Sequence, residues 1–549
     1  MVTALLLLAA LAGSPASTPA APRPPREDVA RRNAAARADT TPRTLLWAID
    51  GLSFEAFTEA RARGLFRRFP NAGRHIAPYP SMSHPSWTEL TGARRVFGER
   101  ANIRTVEARW FDLDAMRVAD DPRQVFARQA APFNYMRAFD WFADPLSEPL
   151  MYFKGDALPD KELADAERDV LEHFSGRQYT VFIGGVDAIA HTQRGVLFGY
   201  LRRLDAMMTR VIDSLERRGG APVHHVIVSD HGNAGRFVEG AAESYLTPVS
   251  LANAFRSAQL VRRDTGSLTA PNQAAVVTIA LASMVNVYVA DLSRRRAFAE
   301  AAVRDSAVDL VTWLEVRPAD RYVTVVSGRG ETRVRWGTTA SGGFVYAVEA
   351  VRGNPLALPA EWFSPASAPR WLADSVTRAT VTTSAYPDAL NRLVRSAAKE
   401  VENAPDLIVN LRDGFAFDGD FGKYVRMVRT HGALGARATF GLVATTHRQV
   451  PAALRSHEVL GAIGLTPDSL FRRVLARAPH DARALADSLA GAAPRLSTGR
   501  DDESTDASFL RRVAPLVQSA GYFDAGTMRA LVTAARPDSG ARAARDRRV

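Results

Sequence analysis

The chain has 549 residues, 46% hydrophobic and 23% charged, with no cysteine and a formal net charge of +11. Such a length exceeds one simple core and predicts one large domain with insertions, or two domains. The lack of cysteine excludes disulfides, thiolate metal sites and cysteine nucleophiles, leaving side-chain carboxylate, imidazole and hydroxyl to hold any metal. The positive charge is almost all Arg, dispersed among Asp and Glu, with no nucleic-acid motif. It suits a small anionic substrate and gives no sign of binding a nucleic-acid polymer.

In chain order, residues 1–21 (MVTALLLLAALAGSPASTPAA) pair an apolar stretch with small residues. The stretch is too short for a stable membrane anchor. It reads as an export signal cut near Ala16 or Ala20, although no basic residue precedes it. The mature chain is then expected in the periplasm or secreted, without a transmembrane span. Residues 22–42, rich in Pro, Arg and Ala, read as a flexible linker. Thr44–Ile49 predicts a buried strand and Phe54–Phe66 a helix. Residues 100–175 are mixed and partly helical. Tyr179–Ile183 and Val223–Ser229 predict strands, and the apolar positions from Val196 to Leu215 recur at helical spacing between them. That strand–helix–strand order predicts parallel pairing.

Gln273–Ala290 reads as a buried strand and its approach. Tyr322–Ser327, Thr332–Trp336 and Phe344–Val351 alternate between Gly-containing turns and predict a small antiparallel insertion. Asp406–Leu411 and Thr439–Thr445 have the character of core strands. Residues 457–549 read as a helical C-terminal extension whose end, from Arg536, is expected to be disordered. The fold class expected is therefore α/β: a doubly wound, mostly parallel central sheet flanked by helices, with a smaller antiparallel insertion or cap (about 100–175 and 240–400) on a core spanning 43–456.

Asp50, Asp187 and Asp230 each follow a short apolar strand, and open parallel sheets bind ligands at the carboxyl ends of their strands. Asp187 and His191 are four residues apart, so one helical turn would point both the same way. His231 adjoins Asp230, and His431 precedes Gly432, which permits backbone conformations other residues resist. Ser83, in PYPSMSHPSW, is a candidate nucleophile. Any one of these Asp residues alone reads more readily as a helix cap; the set together reads as a two-metal centre. Carboxylate plus imidazole suits zinc, with manganese or iron as alternatives. His84 could contact substrate or pack, and His224 and His225 read as sheet residues.

The ordered series Asp–Gly, PSMSHP, D-x-x-x-H, SDHG and HG resembles the alkaline phosphatase superfamily, in particular its type I phosphodiesterase/nucleotide pyrophosphatase branch. The resemblance implies two zinc ions. Asp187, His191 and His431 would hold one; Asp50, Asp230 and His231, with the Ser83 hydroxyl, would hold the other. It further implies hydrolysis of phosphodiester or phosphoanhydride bonds through a phosphoseryl intermediate on Ser83, with Asn102 binding a phosphoryl oxygen. A phosphomonoesterase or phosphonate hydrolase on the same centre, or a non-catalytic surface binding protein that keeps the fold, are the alternatives. Two departures stand out. Trp87 occupies the place where sulfatases carry Arg, and the branch usually has Thr where this chain has Ser83.

Overall fold

The computed structural model describes residues 41–473 apart from 94–110, 113–116, 119–134, 144–150, 153–156, 194, 236–243, 264–265, 278–281, 319, 398–404 and 418–425. The export signal, most of the linker and most of the C-terminal extension fall outside the described residues. Among the described residues no helix is long and apolar enough to cross a membrane.

In chain order the strands of the two main sheets are β1 (Arg43–Ile49), β2 (Asn71–Ile76), β3 (Gln178–Ile183), β4 (Val223–Val228), β5 (Val261–Arg263), β6 (Gln273–Val277), β7 (Met284–Val289), β8 (Val308–Arg317), β9 (Asp320–Ser327), β10 (Gly330–Thr338), β11 (Phe344–Gly353), β12 (Leu372–Ala373), β13 (Leu407–Leu411), β14 (Phe440–Thr445) and β15 (Ala453–Arg455). The helices that matter below are α1 (Phe54–Ala62), α2 (Ser83–Leu90), α3 (Ala157–His173), α4 (Gly185–Thr192), α5 (Leu197–Arg218), α6 (Ala389–Ala397) and α7 (Ser456–Ile463).

The first sheet has six strands in the order β15–β2–β14–β4–β1–β3. β1 pairs in parallel with both β3 and β4, and β2 with β15. β14 runs against both of its neighbours, so the other five strands share one direction. The predicted strand–helix–strand unit is present with one refinement: β3 and β4 do not pair with each other but flank β1 on either side. Alternate residues of β1 supply both faces. Leu45, Trp47 and Ile49 pack with Phe57 of α1, Leu163 of α3 and Leu204 of α5. Leu46 and Ala48 pack with Trp87 of α2 and Val459 of α7. Helices thus cover both faces, which is why these strands read as unbroken apolar runs. Helix α1 stops at Ala62, short of the predicted Phe66, because Gly64 takes a positive φ of 87° and ends the helix.

The second sheet corrects the expectation of a smaller insertion. It has nine strands, β12–β11–β10–β9–β8–β13–β7–β6–β5, antiparallel throughout except for the β5/β6 pair. The Gln273–Ala290 run is two antiparallel strands, β6 and β7, rather than one. β13, expected in the parallel core, lies instead between β8 and β7. The reason is physical: LIVNL is buried at every position, and a short run buried on both faces carries no signal of which sheet it joins. Helix α6 packs Leu390, Leu393 and Val394 against Val323, Val325 and Val334 of this sheet.

Candidate metal centre

The parallel strands β3, β1 and β4 are adjacent, so their carboxyl ends meet at one edge. Asp50 follows β1 directly, Asp187 lies in the first turn of α4 after β3, and Asp230 lies just beyond β4. β2 runs the same way and delivers Ser83 at the head of α2. The antiparallel β14 must enter from that same edge, which brings the segment before it, with His431, to the others. The topology thereby collects residues from five parts of the chain.

The metal-ligand candidates are all buried, whereas Ser83 is half-buried. Two triplets, Asp187–His191–His431 and Asp50–Asp187–His231, each offer ligand atoms lying within 4.8 Å of one another. His191 Nε2 is 3.3 Å from Asp187 Oδ2, and His431 Nε2 is 3.9 Å from Asp187 Oδ1. His231 Nε2 is 3.1 Å from Asp230 Oδ2 and 3.6 Å from Asp50 Oδ1. The Ser83 hydroxyl donates to Asp50 Oδ1 at 3.2 Å and lies 3.1 Å from His231 Nε2. All seven residues picked from the sequence as ligands or nucleophile therefore converge, with Asp187 common to both triplets. Asn102 lies outside the described residues.

Each imidazole is fixed in the same way. Nδ1 of His191 faces the Arg429 carbonyl at 2.8 Å, that of His231 the Gly232 carbonyl at 3.0 Å, and that of His431 the Ser81 carbonyl at 3.0 Å. A carbonyl only accepts, so these contacts assign the proton to Nδ1 and leave a lone pair on Nε2. Those lone pairs point at carboxylate oxygens. His191 Nε2 and Asp230 Oδ2 are buried without a hydrogen-bond partner. Acceptor facing acceptor in a buried site is unfavourable unless a cation lies between them. The donor set thus fits divalent ions, and the backbone carbonyls supply the outer contacts that orient metal-bound His.

Burial and the neighbouring His231 push the His431 imidazole well below its ordinary range, keeping it neutral. Burial raises the Asp230 carboxyl, against the pull of His231 and the Gly51 N–H. At Asp187 burial, which pushes the carboxyl up, is outweighed by His191, His431 and His231 together, and the carboxyl sits well below its usual range.

The motif glycines have local reasons. Gly51 takes φ +65°, its N–H donates to Asp230 Oδ1 at 3.0 Å, and a Cβ there would stand 2.4 Å from Asp187 Oδ1. Gly432 takes φ +106°, and a Cβ would stand 2.8 Å from Met284 Cγ at the start of β7. The second sheet also holds the His431 carbonyl, through Ser283 N at 2.7 Å and Ser283 Oγ at 2.9 Å.

Sequence reasoning missed two residues. Asn233 Nδ2 donates to the Gly51 carbonyl at 2.8 Å and approaches Asp187 Oδ1 at 3.5 Å. Its place two residues after His231 was a usable signal. The Tyr152 hydroxyl donates to Asp187 Oδ2 at 2.8 Å, and nothing in the surrounding sequence marks it. Of the undecided residues, His84 is buried edge-on to Tyr135, with centroids 5.3 Å apart. His224 stacks on His447 at 3.7 Å near the start of β4, the end remote from Asp230. Trp87 points into the core, edge-on to Phe139 and Phe182.

No family model and no curated protein matches the sequence. Among solved structures, human ectonucleotide pyrophosphatase/phosphodiesterase 5 aligns with a TM-score of 0.37 and 10% identity, over 77% of this chain and 95% of that one. The murine protein of the same name aligns with a TM-score of 0.37 and 9% identity, over 77% and 96%. An inactive variant of the murine protein in complex with AMP aligns with a TM-score of 0.38 and 9% identity, over 78% and 96%.

Proposed function

We propose that the chain is an exported, metal-dependent hydrolase with an alkaline phosphatase-like fold, cleaving phosphodiester or phosphoanhydride bonds of small anionic esters through Ser83. One observation carries this reading: three imidazoles locked through Nδ1 aim their ε-nitrogens at buried carboxylates beside a half-buried serine hydroxyl. Asp187, His191 and His431 would hold one divalent ion, zinc before manganese or iron, and Asp50, Asp230 and His231, with Ser83, the other. When bound, such ions supply Lewis-acid stabilisation of phosphoryl oxygens and ease the ionisation of the serine hydroxyl.

The chain's own groups do the rest. Asp50 accepts the Ser83 hydroxyl and fixes Oγ for in-line attack. Attack breaks the Oγ–H bond, the proton passing by way of Asp50 to solvent, forms the Ser83 Oγ–P bond and breaks the bond to the leaving oxygen, which departs and takes a proton from solvent. Water then attacks the phosphoserine, releasing phosphate product and restoring the hydroxyl. Ser83 heads α2, where backbone N–H groups and the helix dipole favour a phosphoryl anion. Asn102 is assigned to a phosphoryl oxygen on the resemblance alone. A diester is favoured over a monoester because alkaline phosphatases carry an Arg after the nucleophile, whereas His84 and Trp87 here are not guanidinium donors, and a singly charged diester needs less neutralisation than a dianion.

The test is metal content of the purified protein, followed by turnover of bis-aryl and mono-aryl phosphate esters by wild type and Ser83→Ala. Bound transition metal, a diester preference and a loss of about 10³-fold or more in Ser83→Ala are expected. A metal-free protein, or unchanged turnover in the variant, would end the proposal; a strong monoester preference would move it to the phosphomonoesterase reading.

A further inference from the structure

A buried arginine ties together the two loops that deliver the nucleophile and one metal ligand. Arg392, on α6, is 3% exposed. Its Nη1 donates to the Pro387 carbonyl at 3.1 Å and the Leu434 carbonyl at 2.9 Å. Its Nη2 donates to Ser81 Oγ at 2.7 Å and to the Pro78 carbonyl at 3.4 Å. Pro78 and Ser81 lie on the approach to Ser83; Leu434 lies three residues past His431. Ser81 is the junction. Its carbonyl faces His431 Nδ1, its N–H donates to the Gly432 carbonyl at 3.2 Å, and its hydroxyl reaches the Ala433 carbonyl at 3.2 Å.

This guanidinium has neutral partners only. The neighbouring Asp388 carboxylate is engaged with Arg455, at 2.6 and 2.8 Å. Burial accordingly lowers the Arg392 pKa to about 10. A buried cation solvated by carbonyls and a hydroxyl is a costly way to fill space, and an apolar side chain would fill it more stably. What the charge gains here is geometry: a planar fork whose two nitrogens engage two loops at once.

We infer that Arg392 is a positioning residue for the catalytic centre, acting through Ser81 to set the ring of His431 and the approach of Ser83. The inference rests on the metal-centre reading above. Lysine offers one point donor and can hold one loop but not both, so Arg392→Lys loosens the junction. Ser81→Ala removes the shared hydroxyl and keeps the backbone carbonyl.

The test is chelator competition for zinc, with kcat and KM on a bis-aryl phosphate, for wild type, Arg392→Lys, Ser81→Ala and their double variant. Arg335→Lys, in the Asp320/Glu349 ladder of the second sheet, is the control. Each single variant is expected to weaken one of two zinc sites by about tenfold or more, with kcat reduced and KM held. The double variant should lose no more than the worse single one, as partners in one contact do. The control should keep both affinities. If wild type takes two zinc ions and both single variants keep both affinities, losing only thermal stability, Arg392 is ordinary scaffolding and the inference falls alone. If wild type takes no zinc, the metal-centre reading falls and takes this one with it. Should Arg392→Lys fail to fold, Ser81→Ala decides on the same readouts.

Discussion

The two sides of the centre are built differently. Asp50, Asp187, Asp230 and His231 stand at or just past the ends of adjacent parallel strands, so the backbone that carries the core also aims the ligands. His431 stands on a loop and Ser83 at the head of α2, beyond the loop that follows β2; no strand end fixes either so directly, and their approaches are cross-tied by Ser81, Ser283 and Arg392 to the second sheet and α6. One side is held by the sheet that defines the fold, the other by contacts added around it. The strand-end side should therefore tolerate little change, and the loop side should yield by degrees.

Gly51 and Gly432 put that contrast to its hardest test. Both have positive φ, so an alanine at either costs about 1–2 kcal/mol of backbone strain. At Gly51 the new methyl would meet a ligand carboxylate, Asp187 Oδ1 at 2.4 Å; at Gly432 it would meet the flexible Met284 side chain at 2.8 Å. Gly51→Ala is expected to abolish metal retention at both sites, because the methyl would displace Asp187 of one site and the Gly51 N–H holds Asp230 of the other. Gly432→Ala should weaken the His431 site about tenfold or less. Titrating both variants with zinc checks this, and equal losses would erase the distinction between the two sides.

Glu162 sharpens the same contrast through pH. It lies on α3, is buried, and accepts from the Gly184 and Gly185 N–H groups at 2.8 and 2.9 Å, capping the helix that carries Asp187 and His191. Burial pushes its carboxyl up to about 7, against those two hydrogen bonds. A folded-state value above the unfolded one means that protonated Glu162 favours the fold. Its contribution is full below about pH 4.5 and is lost as pH rises through about 7. Glu162→Gln should remove that part of the pH dependence. The wild-type-minus-variant difference in Tm is expected to fall between pH 5 and pH 8, and a flat difference would place the ionised form comfortably in the cap.

What the sequence disclosed follows the same division. An Asp after a short apolar run is a local pattern, and three such runs in parallel have one edge on which to end, so Asp50, Asp187 and Asp230 could be read together. D-x-x-x-H and SDHG place His191 and His231 within the same local reach. The second sheet was undervalued because only its hairpin strands β9 to β11 alternate visibly, and they read as a local insertion, while β5, β6, β7 and β13 are short and β13 joins from far along the chain. LIVNL carries no mark that sends it to β13 rather than to the first sheet. Arg392 was illegible for a related reason: one Arg in an Arg-rich chain is noticed only when its carbonyl partners, at Pro78, Pro387 and Leu434, are seen together.

Tyr152 offers the finest discrimination. It comes from the 100–175 segment, neither a strand end nor part of the Arg392 junction, yet its hydroxyl donates to Asp187 Oδ2, the same oxygen that His191 Nε2 approaches at 3.3 Å. A donor on a ligand carboxylate draws charge from it and fixes its orientation, so removing the donor should make that oxygen a stronger but less well-aimed ligand. The two effects oppose each other in affinity and add in geometry. Tyr152→Phe is therefore expected to leave zinc affinity within about threefold of wild type while kcat drops several-fold, less than the roughly tenfold typical of lost outer contacts. A loss of zinc as large as in Gly432→Ala would mean that the segment is a third wall of the centre, on a par with the loop side.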